Sequence, residues 1–168
     1  MKKSSLYLCA ILFIVLGGCS QNASTPFSTN GVLNSSDNKF EGNASNPSSI
    51  AFFKNNVGDR VLFSVDQSDI DQSGKDILLG QVKWLQENSD YKIIIEGHAD
   101  ERGTREYNLA LGARRANSAR EFLVSRGIES SRIQTVSFGK ERPVELCSKE
   151  NCYSENRRAV SVVSNLNF

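Results

Sequence analysis

A strand-helix-strand unit in the second half of the chain constrains the fold most. Residues 91–97 (YKIIIEG) form an apolar run typical of a buried strand, and residues 133–138 form another β-rich run. Between them a helical pattern covers residues 104–126 and stops before Gly127, a residue type that commonly follows a helix. Strands joined by a helix-length connection usually run parallel, so this unit predicts an α/β arrangement.

Two further strands and one helix complete the predicted order. Residues 60–65 (RVLFSV) are β-rich, and Ser73 with Asp76 resembles a capping box that opens a helix with one apolar face. Residues 159–164 form the last strand. The order β-α-β-α-β-β predicts parallel pairing at the start of a two-layer α/β (α+β) sandwich, a mixed sheet with helices on one face.

The first residues resemble an export signal. Two lysines precede an apolar run, residues 6–16, which is too short to span a bilayer, and this predicts a signal peptide over residues 1–18. The run ends in LGGC, which resembles a bacterial lipobox. By that resemblance Cys19 is the first mature residue and carries lipid. Ser20 stands where an Asp commonly retains lipoproteins in the inner membrane, so it favours a location in the outer membrane. An ordinary signal peptide or an uncleaved anchor is the alternative.

Residues 19–56 differ in composition from the rest of the chain. They are rich in Ser and Asn and have no apolar period. Such a segment buries too little surface to offset its ordering entropy, so we expect a flexible tether, or else an extension without a role. Residues 57–168 are then one folded domain. The net charge of +1 and the lack of a basic stripe argue against nucleic-acid binding.

Two of the four cysteines remain for the folded domain, because Cys9 leaves with the signal and Cys19 takes the lipid. Cys147 and Cys152 are close in sequence, and in an oxidising compartment such a pair predicts one local disulfide. Free thiols and a metal site are the alternatives. A zinc site would need two further ligands and the chain has one histidine, so we predict no metal and no cofactor.

The candidate functional cluster follows the second predicted strand. His98 and Asp100 lie directly after that strand. At helical spacing, one face of the next helix carries Thr104, Asn108, Leu111 and Arg115. The opposite stripe is expected to pack on the sheet and consists of Leu109, Ala113, Ala116, Ala119 and Leu123.

Three interpretations of this cluster are open on the residues alone. Asp100 and Arg115 could form a plain ion pair, worth about 0 to 1 kcal/mol at a surface. They could instead bind a zwitterion, since an Arg fork pairs with a carboxylate and an Asp accepts from an ammonium. An enzyme that uses His98 is disfavoured, because the chain has no nucleophile elbow and no HExxH spacing. We expect His98 to be a structural hydrogen-bonding residue at the rim, and we assign no catalytic residue.

The cluster is part of a longer pattern that resembles a known family. The pattern consists of EGHADERGTREYNLALGARRANSAREFL, VSFGKERPVELC and NRRAVSVV. It is similar to the OmpA-like peptidoglycan-binding domain over nearly all of residues 61–163. The lipobox, the polar tether and the lack of barrel-forming sequence before the domain favour the lipid-anchored members of the family.

The resemblance implies a non-covalent site for the meso-diaminopimelate of uncrosslinked peptidoglycan stems. In the family's pattern Asp100 meets the amino group of the ligand and Arg115 meets its carboxylate. The other residues assigned to the site are Arg102, Leu111, Val65 and Asp66, with Thr104 and Asn108 on the same helix face and Asn156 and Arg158 in support. Val65 departs from the pattern, because the family usually has an aromatic residue there.

The implied function is mechanical. The resemblance implies an outer-membrane lipoprotein whose lipid holds the membrane while its domain holds the cell wall. It also implies partnership with the Tol system, including the periplasmic propeller protein TolB, during envelope constriction in cell division. The alternatives are an OmpA-like lipoprotein without a Tol link and a cell-wall hydrolase that uses His98 and Asp100.

Overall fold

The computed structural model describes residues 43–165 of the chain. The signal peptide, Cys19 and most of the tether, all predicted from the sequence, therefore lie outside the described residues, as do residues 166–168. Within residues 43–165, no helix is long and apolar enough to cross a membrane.

Four strands form one mixed sheet. They are β1 (Arg60–Leu62), β2 (Lys92–His98), β3 (Ile133–Gly139) and β4 (Arg158–Ser164), in the order β1-β4-β2-β3. Strands β2 and β3 are parallel, as the strand-helix-strand unit predicts. Strand β4 pairs antiparallel with both β1 and β2. Strands β1 and β2 therefore run in the same direction, but the parallel pairing predicted at the start of the fold is wrong, because β4 lies between them.

The two long helices pack on one face of this sheet and confirm the two-layer prediction. The helices are α1 (Ile50–Phe52, continued by a π-helical segment Phe53–Gly58), α2 (Gln72–Glu87), α3 (Arg105–Ser125) and α4 (Glu150–Asn156), with a 3-10 turn at Ser130–Arg132. The core between α2, α3 and the sheet includes Leu78, Leu85, Ile93, Ile95 and Leu123, all 0% exposed. Helix α4 is not predicted from the sequence.

The ends of α2 and α3 follow from their capping residues. Thr104 caps α3 by accepting from the backbone N–H of Tyr107 at 3.2 Å, and Gly127 follows the helix at φ 94°, as predicted. The capping box predicted for α2 is wrong. Asp71, in extended conformation before Gln72, accepts from the backbone N–H of Gly74 at 2.7 Å and starts the helix two residues before Ser73.

The folded domain begins earlier than residue 57, so the end of the predicted tether needs correction. Phe53 is 0% exposed and packs against Trp84, with ring centroids 4.9 Å apart. The indole N–H of Trp84 donates to the carbonyl oxygen of Pro47 at 2.7 Å. The short apolar stretch at residues 50–53 supplies this contact within a Ser- and Asn-rich segment, and composition averaged over the segment hides it.

The face of α3 that packs on the sheet is rotated from the predicted one. Gly112 lies against β2, where a Cβ would be 2.7 Å from the carbonyl oxygen of Gly97. This close approach puts Gly112, Ala116, Ala119 and Leu123 on the sheet. Leu109 is 49% exposed and Ala113 is also exposed, so their assignment to the core is wrong. Leu111 and Arg115 are buried beside the contact stripe.

Candidate functional site

A cavity of about 280 Å³ opens between α3, the loop after β2 and the turn after β1. The predicted site residues that line it are Val65, Asp66, Asp100, Arg102, Asn108, Leu111 and Arg115. Gly103 and Tyr107 also line it, and sequence reasoning did not assign them. Thr104, Asn156 and Arg158 lie outside this lining, and their contacts show other roles.

Arg115 is a fully buried cation at the cavity, 0% exposed. Its guanidinium donates to the carbonyl oxygens of Gln67 and His98 at 2.8 Å and of Ser64 at 3.1 Å. These bonds join α3 to the turn after β1 and to the end of β2. A guanidinium has five N–H groups. Those that do not bond the carbonyl oxygens are left for an anionic ligand.

Burial and, to a smaller extent, Arg157 lower the pKa of Arg115 to about 10, while Asp100 and Asp66 act in the opposite direction. The side chain is therefore still protonated near neutral pH. Carbonyl dipoles stabilise this charge only in part, since none carries a full negative charge. A carboxylate that enters the cavity meets a desolvated cation, where charge-assisted hydrogen bonds are strongest.

Asp100, which is 7% exposed, does not pair with Arg115. Its Oδ1 accepts from the backbone N–H and the Nε of Arg102, at 3.1 and 3.2 Å. Its Oδ2 accepts from Nη2 of Arg102 at 2.7 Å and from Nη1 of Arg157 at 3.3 Å. Burial raises the pKa of Asp100, but the hydrogen bonds from Arg102 and Arg157 outweigh it and hold the pKa below its usual value. A direct Asp100–Arg115 ion pair is thus excluded.

Asp66 supplies a second carboxylate to the cavity. It is the one non-glycine residue of the described chain at positive φ, 56°, a conformation that Asp tolerates better than most residues. The hydroxyl of Tyr107 donates to its Oδ1, and this bond raises the pKa of the tyrosine. Tyr107 could have been assigned from the sequence, because it lies one helical turn after Thr104 and precedes Asn108 in the EYN motif.

Polar and apolar contacts shape the remaining walls. Asn108 is 2% exposed, and its Nδ2 donates to the carbonyl oxygen of Arg102 at 2.7 Å, which fixes the loop rather than leaving the amide free. Leu111 gives a buried apolar wall, and Val65, 51% exposed, gives an open one. Thr104 acts as the helix cap.

Arg157 is a further residue of the candidate site that sequence reasoning missed. It is 5% exposed, and besides its bond to Asp100 it donates to Glu150 Oε1 at 2.6 Å and to the carbonyl oxygen of Phe63 at 3.0 Å. The NRRAV motif contains it between the two residues that were assigned. Only the position at which β4 begins decides which of the adjacent arginines faces Asp100.

Asn156 and Arg158 hold the loop before α4 instead of lining the cavity. The amide of Asn156, 1% exposed, bonds the backbone N–H groups of Val144 and Glu145 and the carbonyl oxygen of Glu145. Arg158 donates to the carbonyl oxygen of Arg142 at 3.1 Å. Both are therefore supporting residues of a neighbouring loop.

His98 is buried, 2% exposed, so its assignment to the rim is wrong. Its ring stacks on Phe138, with centroids 5.6 Å apart, and neither ring nitrogen has a hydrogen-bond partner within residues 43–165. The expected structural hydrogen bond of the side chain is therefore also wrong; the contribution to the site comes from the backbone oxygen, which accepts from Arg115. Burial, Arg158 and Arg142 lower the pKa of the imidazole to about 4.

A disulfide joins Cys147 to Cys152 and closes the turn into α4. The part of the chain that the structure describes has no group of three side chains able to hold a metal ion.

Comparison with known proteins finds relatives that agree with one another in family. The model described as OmpA family matches residues 62–160. A peptidoglycan-associated lipoprotein of Mesorhizobium japonicum is 43% identical over 98% of this chain and 94% of its own length. Another, from Brucella melitensis, is 43% identical over 96% of this chain and 93% of its own length.

Solved structures share the fold. The peptidoglycan-associated lipoprotein of Burkholderia pseudomallei superposes with a TM-score of 0.64 and 35% identity, covering 66% of this chain and 96% of that one. The C-terminal domain of Helicobacter pylori MotB gives a TM-score of 0.59 at 19% identity, over 63% of this chain and 84% of that domain, which is a likeness of fold alone.

Proposed function

Since the chain belongs to the OmpA family and, within it, to the peptidoglycan-associated lipoproteins, we propose that it binds the cell wall non-covalently and tethers the outer membrane to it. This family is not enzymatic. The domain faces the periplasm and acts by reversible binding, so its output is mechanical linkage rather than a chemical product.

The observation that carries this proposal is the buried Arg115 facing a cavity that also contains two carboxylates. A buried cation and two carboxylates that line one small cavity suit a ligand with both charges. The free end of meso-diaminopimelate in an uncrosslinked stem is such a group, because one carbon carries both an ammonium and a carboxylate.

The binding geometry follows from the charged groups of the cavity. The ligand carboxylate takes the N–H groups of Arg115 that do not bond carbonyl oxygens, and the ammonium lies on the carboxylate side, at Asp100 and Asp66. The methylene chain of diaminopimelate packs between Leu111 and Val65. The aromatic residue usual at position 65 would cover more of that chain, so Val65 leaves this side of the cavity open.

The test is sedimentation of the protein with purified sacculi. Asp100→Asn keeps the size of the side chain but removes its charge, and should abolish cosedimentation; Asp90→Asn, at an exposed aspartate after α2, is the matched control. A stem tripeptide with meso-diaminopimelate should compete, whereas the lysine tripeptide, which lacks the carboxylate for Arg115, should not. Equal competition by the two peptides would refute the assignment of Arg115.

The anchor is lipid on Cys19, at the end of the predicted signal peptide, and residues 20–42 link it to the domain. Support comes from the lipobox-like LGGC and from the lipoprotein relatives. Radiolabelled palmitate should be incorporated into the wild-type chain and not into Cys19→Ser, and the variant should leave the outer-membrane fraction. Labelling of both chains alike would contradict this anchor.

The remaining part of the proposal is partnership with the Tol system, with TolB as the direct partner at constriction sites in cell division. The family resemblance supports it. The partnership is tested by copurifying TolB with the tagged chain. The cells are first treated with lysozyme, so that two proteins bound to the same cell wall are not purified together. Absence of TolB under those conditions would favour an OmpA-like lipoprotein without a Tol link.

A further inference from the structure

Asp100 has no free acceptor position for a ligand. Its oxygens accept three N–H bonds from Arg102 and one from Arg157. A carboxylate offers about four lone-pair positions. An ammonium can therefore bond Asp100 fully only after one of these donors has left.

The side chain of Arg102 is the donor that can leave. It is 44% exposed, whereas the side chain of Arg157 is 6% exposed. Arg157 is also tied to Phe63 and Glu150, so its departure would break two further hydrogen bonds. Arg102 can turn outward from Asp100 by rotating exposed bonds.

Helix α4 offers Arg102 a second binding position next to the first. Nη1 of Arg102 lies 3.8 Å from Oε2 of Glu150, and its guanidinium carbon lies 4.5 Å from the ring centroid of Tyr153. A carboxylate and an aromatic face are the two kinds of surface on which a guanidinium is stable outside bulk water.

The disulfide and two hydrogen bonds keep that second position in place. Cys152 lies between Glu150 and Tyr153 in α4, and its disulfide joins it to Cys147 before the helix. Ser148 and the Tyr153 hydroxyl both donate to Oε1 of Glu101, at 2.9 and 3.1 Å. A helix of seven residues has little stability of its own, so these contacts fix its position on the binding loop.

We propose that Arg102 is an exchangeable occupant of Asp100: the ligand ammonium displaces its guanidinium, which then closes its ion pair with Glu150 and stays on the ring of Tyr153, where it already lies. This inference rests on the proposed function and gives Arg102 a different role from the ligand contact that the family pattern implies. One cation replaces another at Asp100, so the charge around the carboxylate is unchanged. A stem whose terminal amine is acetylated has no cation to exchange, and the site rejects it.

A double-mutant cycle tests the exchange. The full chain in detergent is titrated calorimetrically with the tripeptide L-Ala-γ-D-Glu-meso-diaminopimelate. Arg102→Ala should bind at least as tightly as wild type. Tyr153→Leu should bind about threefold more weakly, because a guanidinium that has left Asp100 interacts more strongly with the ring than one that the carboxylate neutralises, and the substitution should have no effect when Arg102→Ala is also present. Tyr153→Phe keeps the ring and is the matched control for the lost hydroxyl.

Glu150→Gln provides a second route that does not depend on the fold tolerating Tyr153→Leu. Glu150→Gln should lower the affinity for the tripeptide more in the wild-type background than in the Arg102→Ala background. In the Arg102→Ala background the substitution removes only the contact of Glu150 with Arg157. The tripeptide that is acetylated on the free amine of its diaminopimelate should not bind wild type.

The outcomes separate the two claims. If wild type does not bind the tripeptide, the proposed function is wrong. If it binds, but Tyr153→Leu weakens binding equally with and without Arg102, then Tyr153 has a purely structural role and the exchange is overturned. Weaker binding by Arg102→Ala also overturns it, because Arg102 would then contact the ligand directly.

Discussion

His98 makes the free energy of unfolding of the domain depend on pH. Burial, with Arg158 and Arg142 nearby, lowers the pKa of its ring to about 4 in the folded protein. In the unfolded chain the ring titrates near its ordinary value of about 6.5. Between these two values the unfolded state binds a proton that the folded state does not. Stability is therefore complete above about pH 6.5 and falls as the pH drops toward about 4.

The magnitude follows from the same two pKa values. A difference of about 2.5 pH units, at about 1.4 kcal/mol for each unit, gives about 3 kcal/mol lost from the free energy of unfolding. That is a large share of the 5 to 15 kcal/mol typical of a domain. Oε2 of Glu96 lies 3.7 Å from Nε2 of His98, so this carboxylate is placed to oppose the loss.

Urea unfolding followed by circular dichroism measures this effect at several pH values between about 7.5 and about 4. Carboxylates titrate in part of this range as well, so wild type is compared with His98→Phe, which keeps a ring against Phe138 and removes the proton. Wild type should lose about 3 kcal/mol more than the variant on acidification. Parallel curves for the two proteins would refute the assignment of a depressed histidine pKa. At neutral pH the variant should still bind sacculi, because His98 contacts Arg115 through its backbone oxygen.

The other predictions concern packing, the binding cation and the disulfide. Gly112→Ala puts a Cβ 2.5 Å from the Ser137 hydroxyl and should destabilise the domain by about 1 to 3 kcal/mol in thermal melts, whereas Gly80→Ala, with its nearest contact at 3.4 Å, should not. Arg115→Lys should lose sacculus binding and also lower the melting temperature, since an ammonium cannot bond all three carbonyl oxygens; an unchanged melt would contradict the bonds to the turn and to β2. Cys147→Ser should lower the free energy of unfolding by about 2 kcal/mol in urea, the entropy of a short closed loop, and equal stability of the two proteins would show that the loop is ordered without the bond.

The sequence predicted those elements whose limits are set by local chemistry. Helix α3 begins and ends close to the predicted residues, because Thr104 and Gly127 each act on the helical turn next to them. The rotation of α3 was not predictable in this way. It depends on Gly112 meeting Gly97 across two elements, and hydrophobicity favours the larger Leu109 for the core.

In the site, too, local features were predictable from the sequence and contacts between distant segments were not. Asp100 and Arg115 were both assigned to it, but their partners were not, because hydrogen bonds between distant segments leave no pattern in composition or spacing. Arg157 reaches Asp100 from a position 57 residues later, and Arg115 reaches Ser64 over 51 residues. Helical spacing can say which side chains share a face, and only the folded chain says which oxygen each one bonds.

The central position of β4 has a consequence for the order in which the protein is made. β4 is the last strand within residues 43–165 and bonds both β1 and β2, so the sheet stays open until residues 158–164 have emerged. A ribosome or a translocation channel that still holds residues 158–164 therefore keeps the domain from closing. For a chain that we propose crosses the inner membrane, late closure keeps the polypeptide unfolded, and so able to pass through the channel, until β4 has passed.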